Sequence, residues 1–179
     1  ETDRLTNLTS NLLELNSFNG DNVLLDITTF NICETIVQTV NTLEGTAAKK
    51  EISFVLDYNT QKELLVEADE SKIHQVLYNL IDNAVKFSHN NSEIKISLRK
   101  KGAKVFVSVK DSGIGIPKES LNKVFDRFYK TDISRGKDKR GTGLGLSISK
   151  EIVQAHNQTI NVVSTVDVGT EFVFTLKYH

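Results

Sequence analysis

The sequence of 179 residues contains little that restricts a chain covalently, with one cysteine and one proline. The single cysteine, Cys33, excludes an internal disulfide, which fits a reducing compartment. The net charge of −1 shows no basic excess that would favour nucleic acid or an anionic membrane as a partner. No signal-peptide pattern and no apolar run of bilayer length occurs in these residues. The length suits one domain with a substantial core and a short appendage.

The spacing of apolar residues predicts an α+β fold. Helices are predicted at residues 1–18, 71–88 and 144–156, and one more helix is predicted to begin after Asn31, which would be its N-cap. Alternating or short apolar runs predict strands at 23–28, 52–57, 64–68, 94–98, 105–109, 160–163 and 172–176. This mixed order of helices and strands favours a two-layer α/β sandwich.

The first helix carries a stripe of leucines: Leu5, Leu8, Leu12 and Leu15. The stripe indicates the end of a longer helix that packs on a partner, and the alternative is a terminal helix folded back on the domain. A turn cluster at 18–22 marks the boundary. We therefore expect a helix remnant at residues 1–20 and a domain at residues 21–179.

Two asparagines and a lysine lie on one narrow arc of the predicted helix 71–88. Asn79 and Asn83 are four residues apart and therefore lie one above the other, with Lys86 beside them. An amide oxygen is a hard, neutral ligand suited to Mg²⁺, and an ammonium group adds a charge for a phosphate. The alternative is a solvated polar helix face.

Two glycine-bearing segments suit a nucleotide. Asp-Ser-Gly-Ile-Gly-Ile-Pro (111–117) follows a predicted strand; its carboxylate suits an exocyclic amino group, and its glycines let the backbone approach a flat ring. Gly-Thr-Gly-Leu-Gly-Leu (141–146) leads into a helix whose N-terminus suits phosphate. The second segment is neither a Walker A loop nor a dinucleotide fingerprint. A ligand-free turn and a flexible hinge are the respective alternatives.

Residues 117–142 have little regular pattern and many charges, as expected of a lid over a ligand. Phe125 and Phe128 are expected to pin one end of this segment to the core, while its cations fold over a triphosphate. A solvated charged loop is the alternative.

In this order, the four segments resemble the catalytic ATP-binding domain of sensor histidine kinases, whose Bergerat fold is shared with gyrase, Hsp90 and MutL. Residues 75–88 resemble the family's N box, 111–115 its first glycine box, 125–128 its F box and 141–146 its second glycine box. The resemblance covers about residues 21–179. It implies a mixed, mostly antiparallel sheet with helices on one face, and ATP and Mg²⁺ as cofactors.

The resemblance also implies roles for individual residues. Asp111 would hold the adenine amino group, Asn83 would ligate Mg²⁺, and Asn79 would support the phosphates and the acceptor as the catalytic residue. The other implied nucleotide-binding residues are Lys86, Phe87, Gly113, Gly115, Ile116, Arg127, Phe128, Lys130, Arg140, Gly141, Thr142, Gly143, Leu144, Gly145, Leu146 and Thr170. Arg140 stands where many family members have another glycine. Residues 130–141 are expected to be mobile without nucleotide.

The activity implied is transfer of the γ-phosphoryl group of ATP to a histidine on a dimerisation hairpin, in two-component signalling through a response regulator. The family's His-Glu-x-Arg-type acceptor motif is absent, and residues 1–18 resemble the tail of the second hairpin helix. We therefore expect a fragment, the cytoplasmic domain of a membrane-anchored protein, that binds ATP but does not phosphorylate itself.

Three alternatives keep the fold. A gyrase-, Hsp90- or MutL-type ATPase clamp uses a glutamate base one helical turn before the Mg²⁺ ligand, where this chain has Asn79. An amide does not accept a proton from water, so efficient hydrolysis is not expected. The others are a nucleotide-binding module without chemistry and a serine kinase of the anti-sigma type.

Overall fold

The computed structural model describes residues 1–17, 24–58, 62–131, 136 and 142–179. Within them the helices are α1 (Thr2–Ser17), α2 (Ile32–Ala48), α3 (Glu70–Phe87) and α4 (Gly145–Ala155), with a short 3-10 helix at Lys118–Ser120. The strands are β1 (Ile27–Asn31), β2 (Ser53–Asp57), β3 (Leu65–Asp69), β4 (Glu93–Lys101), β5 (Lys104–Asp111), β6 (Ile160–Thr165) and β7 (Gly169–Tyr178). The predicted α+β class is confirmed.

The seven strands form one sheet in the order β1-β3-β7-β5-β4-β2, and β6 also pairs with β7. β5 pairs along one edge of β7, while β6 and β3 share the other edge. Every pairing is antiparallel except that of β2 with β4. The mostly antiparallel sheet implied by the resemblance is therefore confirmed, as is the predicted hairpin of β4 and β5.

Alternation along the central strands gives the sheet one apolar face and one polar face. Val107 of β5 lies opposite Phe174 of β7, and both side chains are fully buried. On the other face, Asp57 of β2 forms ion pairs with Lys95 and Arg99 of β4. The apolar stripe of α3 joins the same core as the buried strand residues: Ile73, Val76, Leu77, Leu80 and Ala84. The helices thus cover the apolar face, in the predicted two-layer arrangement.

The first strand lies further along the chain than predicted. A strand was expected at 23–28, but β1 spans Ile27–Asn31, and Leu24 is 94% exposed. The five residues of β3 pair in register with 27–31, so the start of the apolar run has no pairing partner in β3. Backbone pairing with β3, rather than the apolar run, sets the position of this strand. Residue 23 itself lies outside the described residues.

Asn31 ends β1 and begins α2. Its backbone is extended, and its Oδ1 accepts a hydrogen bond from Cys33 N at 3.1 Å. This bond confirms the predicted N-cap, which satisfies one of the free N–H groups of the first helical turn. The same oxygen accepts a second bond from Leu64 N at 3.0 Å. One side chain therefore holds a strand end, a helix start and the segment that leads into β3.

α1 packs on the domain, as the folded-back alternative describes. Leu15 is fully buried, and Leu8 and Leu12 pack against the core, whereas Leu5 is exposed. Glu14 accepts hydrogen bonds from two side chains of α3, Lys72 Nζ at 3.0 Å and Gln75 Nε2 at 2.6 Å. The origin of α1 in a dimerisation hairpin stays a prediction. None of the helices in the described ranges is long and apolar enough to span a bilayer.

Replacing Asn31 by alanine should lower the free energy of unfolding by about 2 kcal/mol, because the N-cap is lost and the Leu64 N–H group is left without its acceptor. Urea denaturation monitored by circular dichroism would measure the change. Asn31→Asp is the matched control, since it keeps an acceptor at the same position. Equal stability of Asn31→Ala and the wild-type protein would contradict the double role of this side chain.

Candidate functional site

A cavity of about 900 Å³ opens between α3, the turn after β5 and the segment that leads into α4. Its volume lies in the range of sites for small ligands. Most of the predicted site residues line it: Asn79, Asn83, Lys86, Phe87, Asp111, Gly115, Ile116, Lys130, Thr142, Gly143, Gly145, Leu146 and Thr170. Three segments that are distant in the sequence thus meet around one space, as predicted.

Other predicted residues lie elsewhere. Gly113, Arg127, Phe128 and Leu144 are not among the described residues of the cavity wall. Leu144 is fully buried in the core, whereas the side chain of Phe128 is exposed. Arg140 and Gly141 lie outside the described residues, as does most of the predicted mobile lid at 130–141.

Asp111 places a buried carboxylate in the cavity wall. It is the last residue of β5 and is 7% exposed. Its Oδ1 accepts hydrogen bonds from Gly113 N at 2.9 Å and from Thr170 N at 3.3 Å. Burial raises the pKa of this carboxyl group above its ordinary value, and the two backbone bonds oppose the shift. The carboxylate is therefore buried, is oriented by backbone N–H groups of the chain and supplies an acceptor to the cavity.

The glycine of the Asp-x-Gly turn is required by the protein itself. A Cβ at Gly113 would lie 2.1 Å from the carbonyl oxygen of Phe87, the last residue of α3. That oxygen accepts a hydrogen bond from Ile114 N at 3.2 Å. Packing against the end of α3 is therefore one reason for a glycine at this position, and the expected approach of Gly113 to a ligand ring stays a prediction.

Gly115 and Gly143 have the same reason to be glycines. A Cβ at Gly115 would lie 2.2 Å from Thr165 O, and one at Gly143 would lie 2.9 Å from the backbone of Phe128. Both glycines also have positive φ, +71° and +76°, which disfavours other residues. They line the cavity, but close approach of backbone to backbone is what excludes a side chain.

Lys50 stabilises the end of α3, a role that the sequence analysis missed. Its Nζ donates to the carbonyl oxygens of Val85, Lys86 and Ser88 at 2.8, 3.1 and 2.7 Å. The last carbonyl groups of a helix have no partner within the helix, and a cation there also favours the helix dipole. A lysine that follows another helix offers no sequence signal for this contact.

The paired amides of α3 both line the cavity, which confirms their predicted common face. Asn79 Nδ2 donates to Gly145 O at 3.1 Å and is 3.4 Å from Ser149 Oγ. Asn79 thus joins the N box to the start of α4. Lys86 forms an ion pair with Asp82 one turn earlier, at 3.1 Å. The cavity wall therefore combines two amides, two lysines (Lys86 and Lys130) and the carboxylate of Asp82.

The F-box segment holds the second glycine turn through its backbone. Phe128 N donates to Gly143 O at 2.9 Å, and Phe128 itself has a φ of +64°. Phe125 packs edge-to-face on Phe172, with ring centroids 6.1 Å apart. Of the two aromatic rings expected to pin this segment, Phe125 does so, whereas Phe128 contributes its main chain.

α1 also contributes to the cavity wall, which the sequence analysis did not anticipate. Asn7 and Asn11 are part of the cavity wall. Asn11 Nδ2 donates to Thr142 Oγ1 at 3.4 Å, next to the second glycine turn. The only signal in the sequence was the i, i+4 spacing of the two asparagines, which the leucine stripe on the neighbouring face obscured.

Comparison with known proteins identifies this arrangement. The profile of the histidine kinase-, DNA gyrase B- and HSP90-like ATPases matches residues 68–179, and the chain belongs to that family. Over 180 aligned residues it is 38% identical to the sensor histidine kinase WalK of Bacillus subtilis (strain 168), covering 99% of this chain and 29% of WalK. The chain thus spans less than a third of that relative's length.

Two solved structures have the same fold. Histidine kinase ThkA, in complex with the response regulator protein TrrA, is 31% identical with a TM-score of 0.80, covering 99% of this chain and 49% of that one. Full-length ShkA in complex with AMPPNP has a TM-score of 0.87 over 98% of this chain and 36% of that one, at 24% identity. The Bergerat fold expected from the four boxes is therefore confirmed.

Gly113→Ala should lower the free energy of unfolding by roughly 1–3 kcal/mol, because the new methyl group collides with the carbonyl group of Phe87. Thermal denaturation would measure the change. Gly45→Ala in α2 is the control, since a Cβ there meets nothing within 4 Å. A Gly113→Ala variant as stable as the wild-type protein would show that the turn after β5 does not depend on this contact.

Proposed function

We propose that this chain is the ATP-binding catalytic domain of a sensor histidine kinase, which transfers the γ-phosphoryl group of ATP to a histidine on a dimerisation hairpin. The single observation that carries the proposal is the composition of the cavity. A buried carboxylate, paired amides and two lysines line the same cavity. This set of groups suits a purine nucleotide, which has a hydrogen-bonding base at one end, proposed to lie at Asp111, and an anionic phosphate chain at the other, proposed to lie at the amides and lysines.

The base end fits an adenine. Asp111 Oδ1 accepts hydrogen bonds from Gly113 N and Thr170 N, and the carboxylate has remaining acceptor capacity for one proton of an exocyclic amino group. Apolar side chains beside it supply flat contact for a ring: Phe87, Ile114, Ile116 and Phe172. Binding there would orient the nucleotide without reaching the phosphates.

The phosphate end fits a magnesium–triphosphate. Asn83 would supply one neutral oxygen to Mg²⁺, whose other ligands would be phosphate oxygens and water, as is usual for this ion. Lys86 and Lys130 would place positive charge on the phosphates, and the N–H groups at the start of α4 would face them. Bound Mg²⁺ supplies charge neutralisation during phosphoryl transfer.

Catalysis would then consist of positioning and electrostatic stabilisation, as phosphoryl transfer generally requires. Asn79, held by its bond to Gly145 O, would orient the phosphates and the incoming acceptor. The acceptor would be an imidazole nitrogen on a dimerisation hairpin, and we propose that residues 1–20 are the last part of the second helix of that hairpin. The phosphoryl group would pass on to a response regulator.

An ATPase clamp is the less favoured function. Asn79 takes the position of the glutamate base of those enzymes, and its amide nitrogen is engaged with α4. An amide at this point orients groups but removes no proton from water. The site is therefore suited to holding ATP for a nucleophile that arrives from elsewhere.

Asp111→Asn should weaken ATP binding about ten- to hundred-fold, because one hydrogen bond to a charged group contributes roughly 1.5–3 kcal/mol. The affinity of the wild-type protein for ATP should also fall on acidification, because Asp111 takes up a proton. Since the pKa of Asp111 is raised, this loss should occur at a higher pH than the pH at which an ordinary aspartate is protonated. Calorimetric titration with ATP at several pH values would measure both effects.

Asp167→Asn is the matched control, because Asp167 is exposed and only its backbone N–H bonds to the same loop, at Ile114 O. It should leave ATP affinity and its pH dependence unchanged. Two results would contradict the assignment of this carboxylate to the base. One is an ATP affinity of Asp111→Asn equal to that of the wild-type protein, and the other is the same pH dependence of affinity in Asp111→Asn and the wild-type protein.

Mixing the chain with ATP labelled in its γ-phosphate, Mg²⁺ and a separately prepared dimerisation hairpin should put label on the hairpin. A hairpin that contains the His-Glu-x-Arg-type acceptor motif is the suitable substrate, and the bond formed should be labile to acid and stable to base. Asn83→Ala should abolish this transfer because it removes the proposed Mg²⁺ ligand. Asn90→Ala, at an exposed position just beyond α3, should not.

The competing functions give different results in the same assay. Release of inorganic phosphate without labelled hairpin would favour the clamp. Binding of ATP with neither product would favour a nucleotide-holding module. A hairpin whose acceptor histidine is replaced by alanine should stay unlabelled, which excludes transfer to another residue.

A further inference from the structure

A row of three polar side chains crosses the sheet at the base end of the cavity. Asp111 of β5 lies opposite Thr170 of β7, and Thr170 lies opposite Ser164 of β6. Phe172 and Phe174 follow Thr170 at steps of two along β7 and are buried in the core. Because side chains alternate along a strand, Thr170 faces the helices as these rings do. The three polar side chains therefore lie on the same face of the sheet as the apolar core, next to the cavity.

The hydroxyl group of Ser164 makes three contacts behind Thr170. Its Oγ accepts a hydrogen bond from Ile116 N at 2.8 Å, lies 2.9 Å from Gly169 O and lies 2.7 Å from Thr170 Oγ1. A serine hydroxyl has one proton, and a carbonyl oxygen only accepts. All three contacts are hydrogen bonds only if Ser164 donates to Gly169 O and Thr170 donates to Ser164.

This assignment determines what Thr170 offers to a ligand. Thr170 lines the cavity, whereas Ser164 is not among the described residues of the wall. With its proton directed at Ser164, the Thr170 hydroxyl presents only lone pairs to the cavity. Ionised Asp111, next to it in the row, is also an acceptor only. The base end thus presents two neighbouring acceptors and no side-chain donor from this row.

We propose that Ser164 is a specificity-determining residue that makes the site selective for adenine over guanine. It acts through Thr170, by keeping the threonine hydroxyl in the accepting orientation. With both acceptors at the purine 6-position, the amino group of adenine donates one of its two protons to each, whereas guanine carries a carbonyl oxygen there, which accepts and is repelled by them. The inference rests on the proposed function, since it concerns the base of the nucleotide bound there.

The test is the ratio of ATP to GTP affinity, measured by calorimetry on the whole chain. Ser164→Ala should free the Thr170 hydroxyl to rotate and donate to guanine, so that the ratio falls by about two- to tenfold, the value of one neutral hydrogen bond. Ser164→Thr keeps a hydroxyl group and should restore the wild-type ratio. Thr165→Ala, which removes a hydroxyl group from the opposite, exposed face of β6, should leave the ratio unchanged.

A double variant shows whether Ser164 acts through Thr170. Once Thr170→Val has removed the threonine hydroxyl, adding Ser164→Ala should change the ratio no further. An equal loss of affinity for both nucleotides in Ser164→Ala would show a purely structural role and overturn the inference, as would a wild-type protein that binds ATP and GTP equally well. Failure of the wild-type protein to bind ATP would instead overturn the proposed function.

Discussion

The hydrogen bond between the Ile114 N–H group and the carbonyl oxygen of Phe87 joins the two halves of the site. It fastens the turn after β5 to the end of α3, so that a carboxylate from the sheet and two amides from the helix face one cavity. The contact requires Gly113, and the carbonyl groups around it are held by Lys50. The position of the turn after β5 relative to α3 is therefore set by main-chain packing, which the Lys50 side chain supports.

Contacts within the chain also fix the other segments around the cavity. Gly115 lies against the backbone of Thr165, and Gly143 against that of Phe128, so each glycine segment is seated on another part of the chain. Asn79 bonds to Gly145, and Asp111 bonds to Gly113 and Thr170. Polar groups that would bind a nucleotide are thus oriented before any ligand arrives, which lowers the ordering cost of binding.

Local patterns predicted much of this arrangement, and distant contacts account for the rest. The hairpin of β4 and β5, the common face of Asn79 and Asn83, and the placement of Asp111 at a strand end follow from periods and turn residues read over a few positions. The position of β1 depended on its pairing with β3 instead. Asn11 and Ser164 matter through partners far along the chain, Thr142 and Ile116, which no local pattern reveals.

β7 comes after the six other strands in the chain, yet it lies at the centre of the sheet and is the strand that β3, β5 and β6 share. Without it, β1 with β3 and β2 with β4 and β5 would form two separate ribbons, and β6 would have no partner. During synthesis these two ribbons stay unjoined, each with an unpaired edge, until the ten residues of β7 have left the ribosome. The sheet is therefore completed only when β7 is in place, and loss of β7 would remove the sheet's central connection.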